Sequence, residues 1–173
     1  MSSNKPVAGA PLPAMKIAKL GGGEIALGGP RENWTFLVVY RGKHCPKCKS
    51  YLNKLETKKS AWEEAGFDLA VVSADPEEKA AADVAEFGWT FDLGYGLSED
   101  QMKDLGVYIS DPLSAAETDR RFAEPGHFIV RPDGNLQLVD ISNGPASRPD
   151  LDVLLDGIIF TIENNRPPRG TAV

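Results

Sequence analysis

The chain has two cysteines, and they stand together in Cys45-Pro46-Lys47-Cys48. Two thiols at this spacing can trade electrons with a disulfide, because the second lies one helical turn from the first and a bridge between them needs little backbone movement. Exchange requires a thiolate, and a free cysteine, with a pKa of about 8.5, is mostly protonated at neutral pH. The N–H groups and partial positive charge of a helix start, with Lys43, Lys47 and Lys49 close by, would lower that value. Cys45, at the helix start, is expected to be the nucleophile. Cys48, better shielded, is expected to resolve the mixed disulfide.

Two blander readings stand beside this one. The cysteines could be small apolar core residues, or metal ligands together with His44 and His127, the chain's two histidines. A covalently bound haem is disfavoured because Lys49, not histidine, follows the second cysteine. The redox reading leads, with no metal and no cofactor expected.

The elements that must position the dithiol are legible around it. Trp34 to Tyr40 is a nearly continuous apolar, β-branched and aromatic run, the pattern of a strand buried on both faces. Pro46 suits the first position of a helix, and Tyr51, Leu52, Leu55 and Trp62 continue it at helical spacing to Gly66. Phe67 to Ala74 reads as a second central strand, with Asp75 as a helix cap and Pro76 opening a helix that runs to Phe87. Ser98 starts a short helix ending near Gly106. Upstream, Met15 to Leu20 and Glu24 to Leu27 form a hairpin across three glycines.

Asp111 to Glu124 is polar and turn-prone, a surface loop that could serve as a lid or partner contact. Gly126 to Arg131 and Leu136 to Ile141 bracket Pro132-Asp133-Gly134-Asn135 as an antiparallel pair. Ser147 to Glu163 carries leucines and isoleucines at i, i+3, i+4 spacing, an amphipathic last helix. The expected organisation is an extended or mobile lead-in over residues 1–14, one domain over 15–163 and a loose tail over 164–173. The class is α/β, a mixed central sheet with helices on both faces.

The 173 residues suffice for one core without disulfide staples, and a 42% hydrophobic, 25% charged composition is that of an ordinary globular chain. A net charge of −6 speaks against general nucleic-acid binding. The charge is uneven: between Arg41 and Lys59 seven basic residues face one acid, Glu56. No apolar run approaches the roughly 20 residues of a membrane-spanning helix, and no signal-peptide pattern opens the chain, so a cytoplasmic location and no membrane partner are expected. In that compartment a cysteine pair does chemistry more often than it staples.

The strand, the CPKC helix start and the later Pro125-x-x-Phe-Ile-Val-x-Pro-Asp-Gly run together resemble the thioredoxin superfamily over Met15 to Glu163. Within it the chain is most similar to the branch of alkyl hydroperoxide reductases, thiol-specific antioxidants and peroxiredoxin-like proteins. The resemblance implies a thioredoxin fold. It also implies a cis-proline facing the dithiol, matched by Pro125, beside which an extended substrate segment could pair. Peroxiredoxins carry proline seven residues and threonine or serine three residues before the reactive cysteine, where this chain has Val38 and Gly42. Their arginine before the Phe-Ile-Ile strand falls at Pro125, leaving Arg41, Arg120 or Arg121 to substitute. His44 could hold the thiolate or move its proton, and His127 lies on a strand whose start should face the dithiol.

These readings rank a thiol–disulfide oxidoreductase first, an antioxidant enzyme with Cys45 and Cys48 at its centre and Pro125, His44, His127, Lys47 and Arg41 around them. Its substrate would be a protein or small-molecule disulfide or hydroperoxide. A thioredoxin- or glutathione-type thiol would be the electron donor, and a homodimer is possible. A hydroperoxide reductase in which Cys45 becomes a sulfenic acid comes second. A non-catalytic thioredoxin-fold module that binds a partner or metal is the alternative of another class.

Overall fold

In a computed structural model, which describes residues 5–172, the strand predicted around Trp34 becomes the centre of the molecule. This strand, β3 (Trp34–Val39), follows a hairpin of β1 (Met15–Ala18) and β2 (Glu24–Leu27) and leads into α1 (Pro46–Glu64). Then come β4 (Phe67–Val72), α2 (Glu77–Phe87), β5 (Asp92–Gly94), α3 (Glu99–Leu105), β6 (Ile109–Ser110), β7 (Phe122–Ala123), β8 (Gly126–Val130), β9 (Leu136–Ile141) and α4 (Leu151–Glu163). The main sheet has the order β5-β4-β3-β8-β9. β4 runs parallel to β3, and β8 antiparallel to it with Val38 opposite His127.

Because β3 is central, side chains on both its faces are buried, which is why its sequence does not alternate. Phe36 and Val38 face a core shared with Leu52, Leu55 and Trp62 of α1, Ala80 of α2 and Leu151, Leu154, Leu155 and Ile158 of α4. Leu37 and Val39 face the opposite core, closed by Ile17, Ile25 and Leu27 of the hairpin and Met102 and Leu105 of α3. Phe36 stacks on Trp62 at 4.4 Å between ring centroids, and Phe67 meets Trp62 edge-on at 5.1 Å. These rings lock α1 onto the sheet and so fix the helix start that carries the cysteines. The mixed sheet, the helices on both faces and the N-terminal hairpin are those of a thioredoxin fold.

Several local expectations are corrected. Asp75 does not cap α2: Pro76 takes the cap position, and the Asp75 carboxylate instead accepts the Lys43 N–H at 2.7 Å. The stretch from Asp111 to Glu124 is not loop throughout, because its buried Phe122–Ala123 end pairs with Ile109–Ser110. Strand β5 was not foreseen, since three residues are too few to show a period. The last helix starts at Leu151 rather than Ser147, capped by the Asp150 carboxylate on the N–H groups of Asp152 and Val153.

The lead-in is extended but held: Gly9 N–H donates to the Leu136 carbonyl, Leu12 N–H to the Gly134 carbonyl, and Leu12 is buried. The tail packs back beside it, and residues from both, including Pro6, Arg166 and Arg169, line a cavity of about 760 Å³ over Val139 and Ile158. Residues 1–4 of the expected lead-in and residue 173 of the expected tail lie outside the described residues.

Candidate functional site

β3 ends at Val39, six residues run out from the sheet, and Pro46 begins α1, so Cys45, the last of the six, is the cap residue of the helix. Its sulfur accepts the Cys48 backbone N–H at 3.4 Å, in the place where Ser, Thr, Asp or Asn usually supplies an oxygen. Both thiols are free and buried, Cys45 at 1% and Cys48 at 0% exposure. The Cys45 pKa is lowered to about 5, first by the hydrogen bond from the Cys48 thiol, then by the Arg41 guanidinium and the Cys48 N–H, against the desolvation of the site. Cys48 moves the other way: a proton shared with the Cys45 thiolate, together with burial, pushes its pKa up. One negative charge therefore sits on the pair, and it sits on Cys45.

Arg41 reaches this position from the end of β3 and is braced by Glu124 at 3.0 Å and Glu117 at 3.8 Å, with the Phe122 ring 4.9 Å beneath its guanidinium carbon. The lysines expected to lower the thiol pKa are partly engaged elsewhere. Lys43 and Lys49 stand 3.6 and 3.9 Å from the fully buried Asp83, a carboxylate that would cost several kcal/mol to leave unpaired. Lys47 is exposed and has no carboxylate within ion-pair distance among the described residues.

Sequence reading missed Arg148. Its Nη2 lies 2.8 Å from the Cys48 sulfur, its Nε donates to the Pro145 carbonyl at 2.8 Å, and its guanidinium carbon lies 5.2 Å from the Tyr51 ring centroid. Tyr51 in turn donates to the Pro149 carbonyl at 2.9 Å. One hundred residues separate Arg148 from Cys48, and no local signal marks such a contact. Arg120 and Arg121, the other substitutes considered, pair with Asp119 and Asp111.

The histidines do not touch the sulfurs through a hydrogen bond. The His44 ring turns edge-on to Phe122 at 4.6 Å, and burial and Arg41 lower its pKa. His127 is fully buried, edge-on to Tyr51 at 5.3 Å, and burial followed by Arg148 lowers its pKa to about 3. It is a neutral ring behind the Arg148–Tyr51 stack. Its 3.9 Å approach to Asp140 is therefore no ion pair.

Pro125 departs from the expectation most clearly. All described peptide bonds are trans, so there is no cis-proline at this position. Glu124 N–H already donates to the Tyr108 carbonyl, and the Pro125 carbonyl accepts Ser142 N–H at 3.0 Å. The backbone here ties down the loop that delivers Arg148, and these groups are not free for an extended substrate. Gly42 adopts φ +137°, and a Cβ there would lie 2.7 Å from the Asp75 carboxylate. The position where peroxiredoxins place a hydroxyl is thus filled by Asp75.

A groove of about 370 Å³ opens over Arg148, lined by Lys47, Tyr51, Lys54, Arg148, Pro149 and Asp150 among others, with neither cysteine in its lining. The larger cavity between lead-in and tail contains neither cysteine. Among the described residues no three His, Cys, Asp or Glu side chains converge as a metal-ligand set, and no helix is long and apolar enough to cross a membrane.

A thioredoxin fold carrying a paired dithiol at the start of its first long helix defines a class of thiol-dependent oxidoreductases. Residues 8–139 match the AhpC/TSA family, and the chain belongs to that family of thiol-dependent antioxidant enzymes. Among solved structures it is similar to a peroxiredoxin-like protein from Aquifex aeolicus, with 18% identity, a TM-score of 0.73 and 87% of this chain and 85% of that one covered. It is likewise similar to a 2-Cys peroxiredoxin from Plasmodium vivax, with 17% identity, a TM-score of 0.74 and 93% and 84% covered. The peroxidoxin BcpB from Mycobacterium tuberculosis gives 15% identity, a TM-score of 0.72 and 94% and 99% covered. At these identities the structures speak for the fold. No curated protein matches the chain.

Proposed function

We infer that the protein is a dithiol oxidoreductase in which Cys45 attacks and Cys48 resolves. The observation that carries this reading is the Cys45 sulfur in the helix cap, accepting the Cys48 N–H at 3.4 Å beside Arg41, an arrangement that favours a thiolate there. The Cys45 thiolate attacks one sulfur of a protein or small-molecule disulfide and expels the other as a thiolate. Cys48 then attacks the Cys45 sulfur, releasing the second partner sulfur and leaving a Cys45–Cys48 disulfide. A thiol donor of thioredoxin or glutathione type would return the enzyme to the dithiol. Lys47 and the groove over Arg148, the neighbour of Cys48, would offer an anionic partner a place to rest.

Family membership favours a second substrate for the same sulfurs. A hydroperoxide would oxidise Cys45 to a sulfenic acid, and Cys48 would displace water from it to form the same disulfide. Asp75 filling the space beside Gly42 argues that this reaction is the slower one, since no hydroxyl is there to orient the peroxide. Mass spectrometry of the reduced protein after each oxidant tests the scheme: an intramolecular Cys45–Cys48 disulfide is expected, and a product confined to Cys48 in the wild type would contradict it.

A further inference from the structure

We propose that Arg148 is the residue that lets Cys48 close the disulfide, by holding its sulfur as a thiolate once Cys45 has been consumed. This rests on the reading of Cys45 as attacker and Cys48 as resolver. In the resting dithiol the negative charge is on Cys45, and a second thiolate beside it would be repelled, so Cys48 keeps its proton. When Cys45 becomes part of a mixed disulfide that charge is gone. The groups then facing the Cys48 sulfur are the Arg148 guanidinium at 2.8 Å, the Arg41 backbone N–H at 3.5 Å and the neutral Tyr40 phenol, while the Arg41 guanidinium, already paired with Glu124 and Glu117, adds its charge without a hydrogen bond.

Arg148 is built for this task. Unlike Arg41, it has no carboxylate within ion-pair distance among the described residues, so its charge is not already spent. Its geometry is set before any chemistry by the Pro145 carbonyl and the Tyr51 ring, and the ring behind Tyr51, His127, is neutral and does not compete for the sulfur. A preorganised cation costs little reorganisation when the thiolate forms.

The step balances simply. Cys48 gives its proton to water, its sulfur attacks the Cys45 sulfur, the Cys45–Cys48 bond forms, and the bond from Cys45 to the partner breaks with the electron pair leaving on the partner's sulfur. Lowering the Cys48 pKa by about two units raises its thiolate fraction about 100-fold while the pKa stays at or above the ambient pH. The accompanying loss of nucleophilicity, with a Brønsted slope near 0.45, takes back about eightfold, leaving roughly a tenfold gain in the closing step.

The test begins with Cys45→Ser, which removes the competing thiolate and leaves Cys48 alone beside Arg148. Its thiolate absorbance is followed against pH, with and without Arg148→Met or Arg148→Lys. Arg148→Met is expected to raise the Cys48 pKa by about two units, and Arg148→Lys, which keeps the charge and loses the fork, by less than about one. In the full dithiol protein, reaction with an aromatic disulfide whose thiol product absorbs visible light resolves two releases. Arg148→Met should slow the second release about tenfold relative to the first, with partial rescue in Arg148→Lys. An unshifted Cys48 pKa, or a second release as fast as wild type, would overturn the proposal. A first release that survives in Cys45→Ser would instead sink the reading of Cys45 as attacker, and the Cys48 titration would stand apart from it. If the methionine variant does not fold, the lysine variant's titration and second release decide alone.

Discussion

The Cys45 sulfur accepts the backbone N–H of Cys48 at 3.4 Å, so a thiolate does for α1 what a capping oxygen does for other helices. The same bond ties reactivity to fold: the proton-free sulfur is the better cap, and the helix start is the better thiolate site. Arg41 adds a guanidinium to the same sulfur, itself aimed by Glu124 and Glu117.

This arrangement sets the pH dependence of Cys45. Only the thiolate reacts, so alkylation of Cys45 should be level from pH 8 down to pH 6, fall to half near its lowered pKa of about 5, and vanish below it. Arg41→Met should move the midpoint up by about one unit. Alkylation rates against pH, with Cys48 replaced by serine as a control for the shared proton, check this. A wild-type midpoint near that of a free thiol would refute it.

Gly42 should resist a threonine. At φ +137°, a side chain there is strained by about 1–3 kcal/mol even before its Cβ meets the Asp75 carboxylate at 2.7 Å. Gly42→Thr is expected to lower stability by about 2 kcal/mol or more and to bring no gain in peroxide reduction. Denaturant unfolding and a peroxide assay read both. A stable variant with faster peroxide turnover would show that the lost hydroxyl alone limits that reaction.

His127 should make the fold sensitive to acid. Its folded-state pKa, about 3, lies below the ordinary value near 6.5, so the unfolded chain takes up a proton first. The sign follows directly: the contribution is fully present above about pH 6.5 and is lost as pH falls toward 3. Between pH 7 and pH 5 it amounts to about 2 kcal/mol. His127→Leu should lose that part of the slope, whatever its stability at pH 7. Parallel slopes for the two proteins in urea titrations at both pH values would refute the assignment.

Access to Cys45 should depend on the segment between β6 and β7. Arg41 and His44, the neighbours of Cys45, are covered by Phe122, and Glu117 of this segment reaches Arg41 at 3.8 Å. Both side chains are largely shielded, but at 3.8 Å the pair is long and is worth on the order of 0.5–1 kcal/mol, so Glu117→Ala should speed alkylation at pH 7 about two- to fivefold. At that pH Cys45 is already a thiolate, and the gain therefore reports opening rather than ionisation. An unchanged rate would mean that the reagent reaches the sulfur by another path.

Much of this was legible in the chain. The buried run at Trp34, Pro46 at the first helical position and the paired cysteines follow from side-chain patterning within about twenty residues, and the structure places them as read. What was not legible joins distant segments. Asp75 binds Lys43 N–H across 32 positions, and Arg148 meets Cys48 across 100. Lys43 and Lys49 were read as cations for the thiolate because they are near in sequence, yet the buried Asp83 on α2 draws both. Pro125 is legible only through resemblance, whereas its trans bond and the Ser142 N–H that occupies its carbonyl are set by segments distant from it in sequence. Spacing thus shows which two sulfurs the helix start brings together, while tertiary packing chooses the charges that surround them.

The most direct test is rapid mixing of the reduced protein with a small disulfide and, in parallel, with hydrogen peroxide, following thiol loss in wild type, Cys45→Ser and Cys48→Ser. Loss of both thiols, faster with the disulfide than with peroxide, abolished in Cys45→Ser and arrested as a mixed disulfide in Cys48→Ser, is the predicted result. Rapid reaction persisting in Cys45→Ser, with Cys48 carrying the adduct, would contradict it.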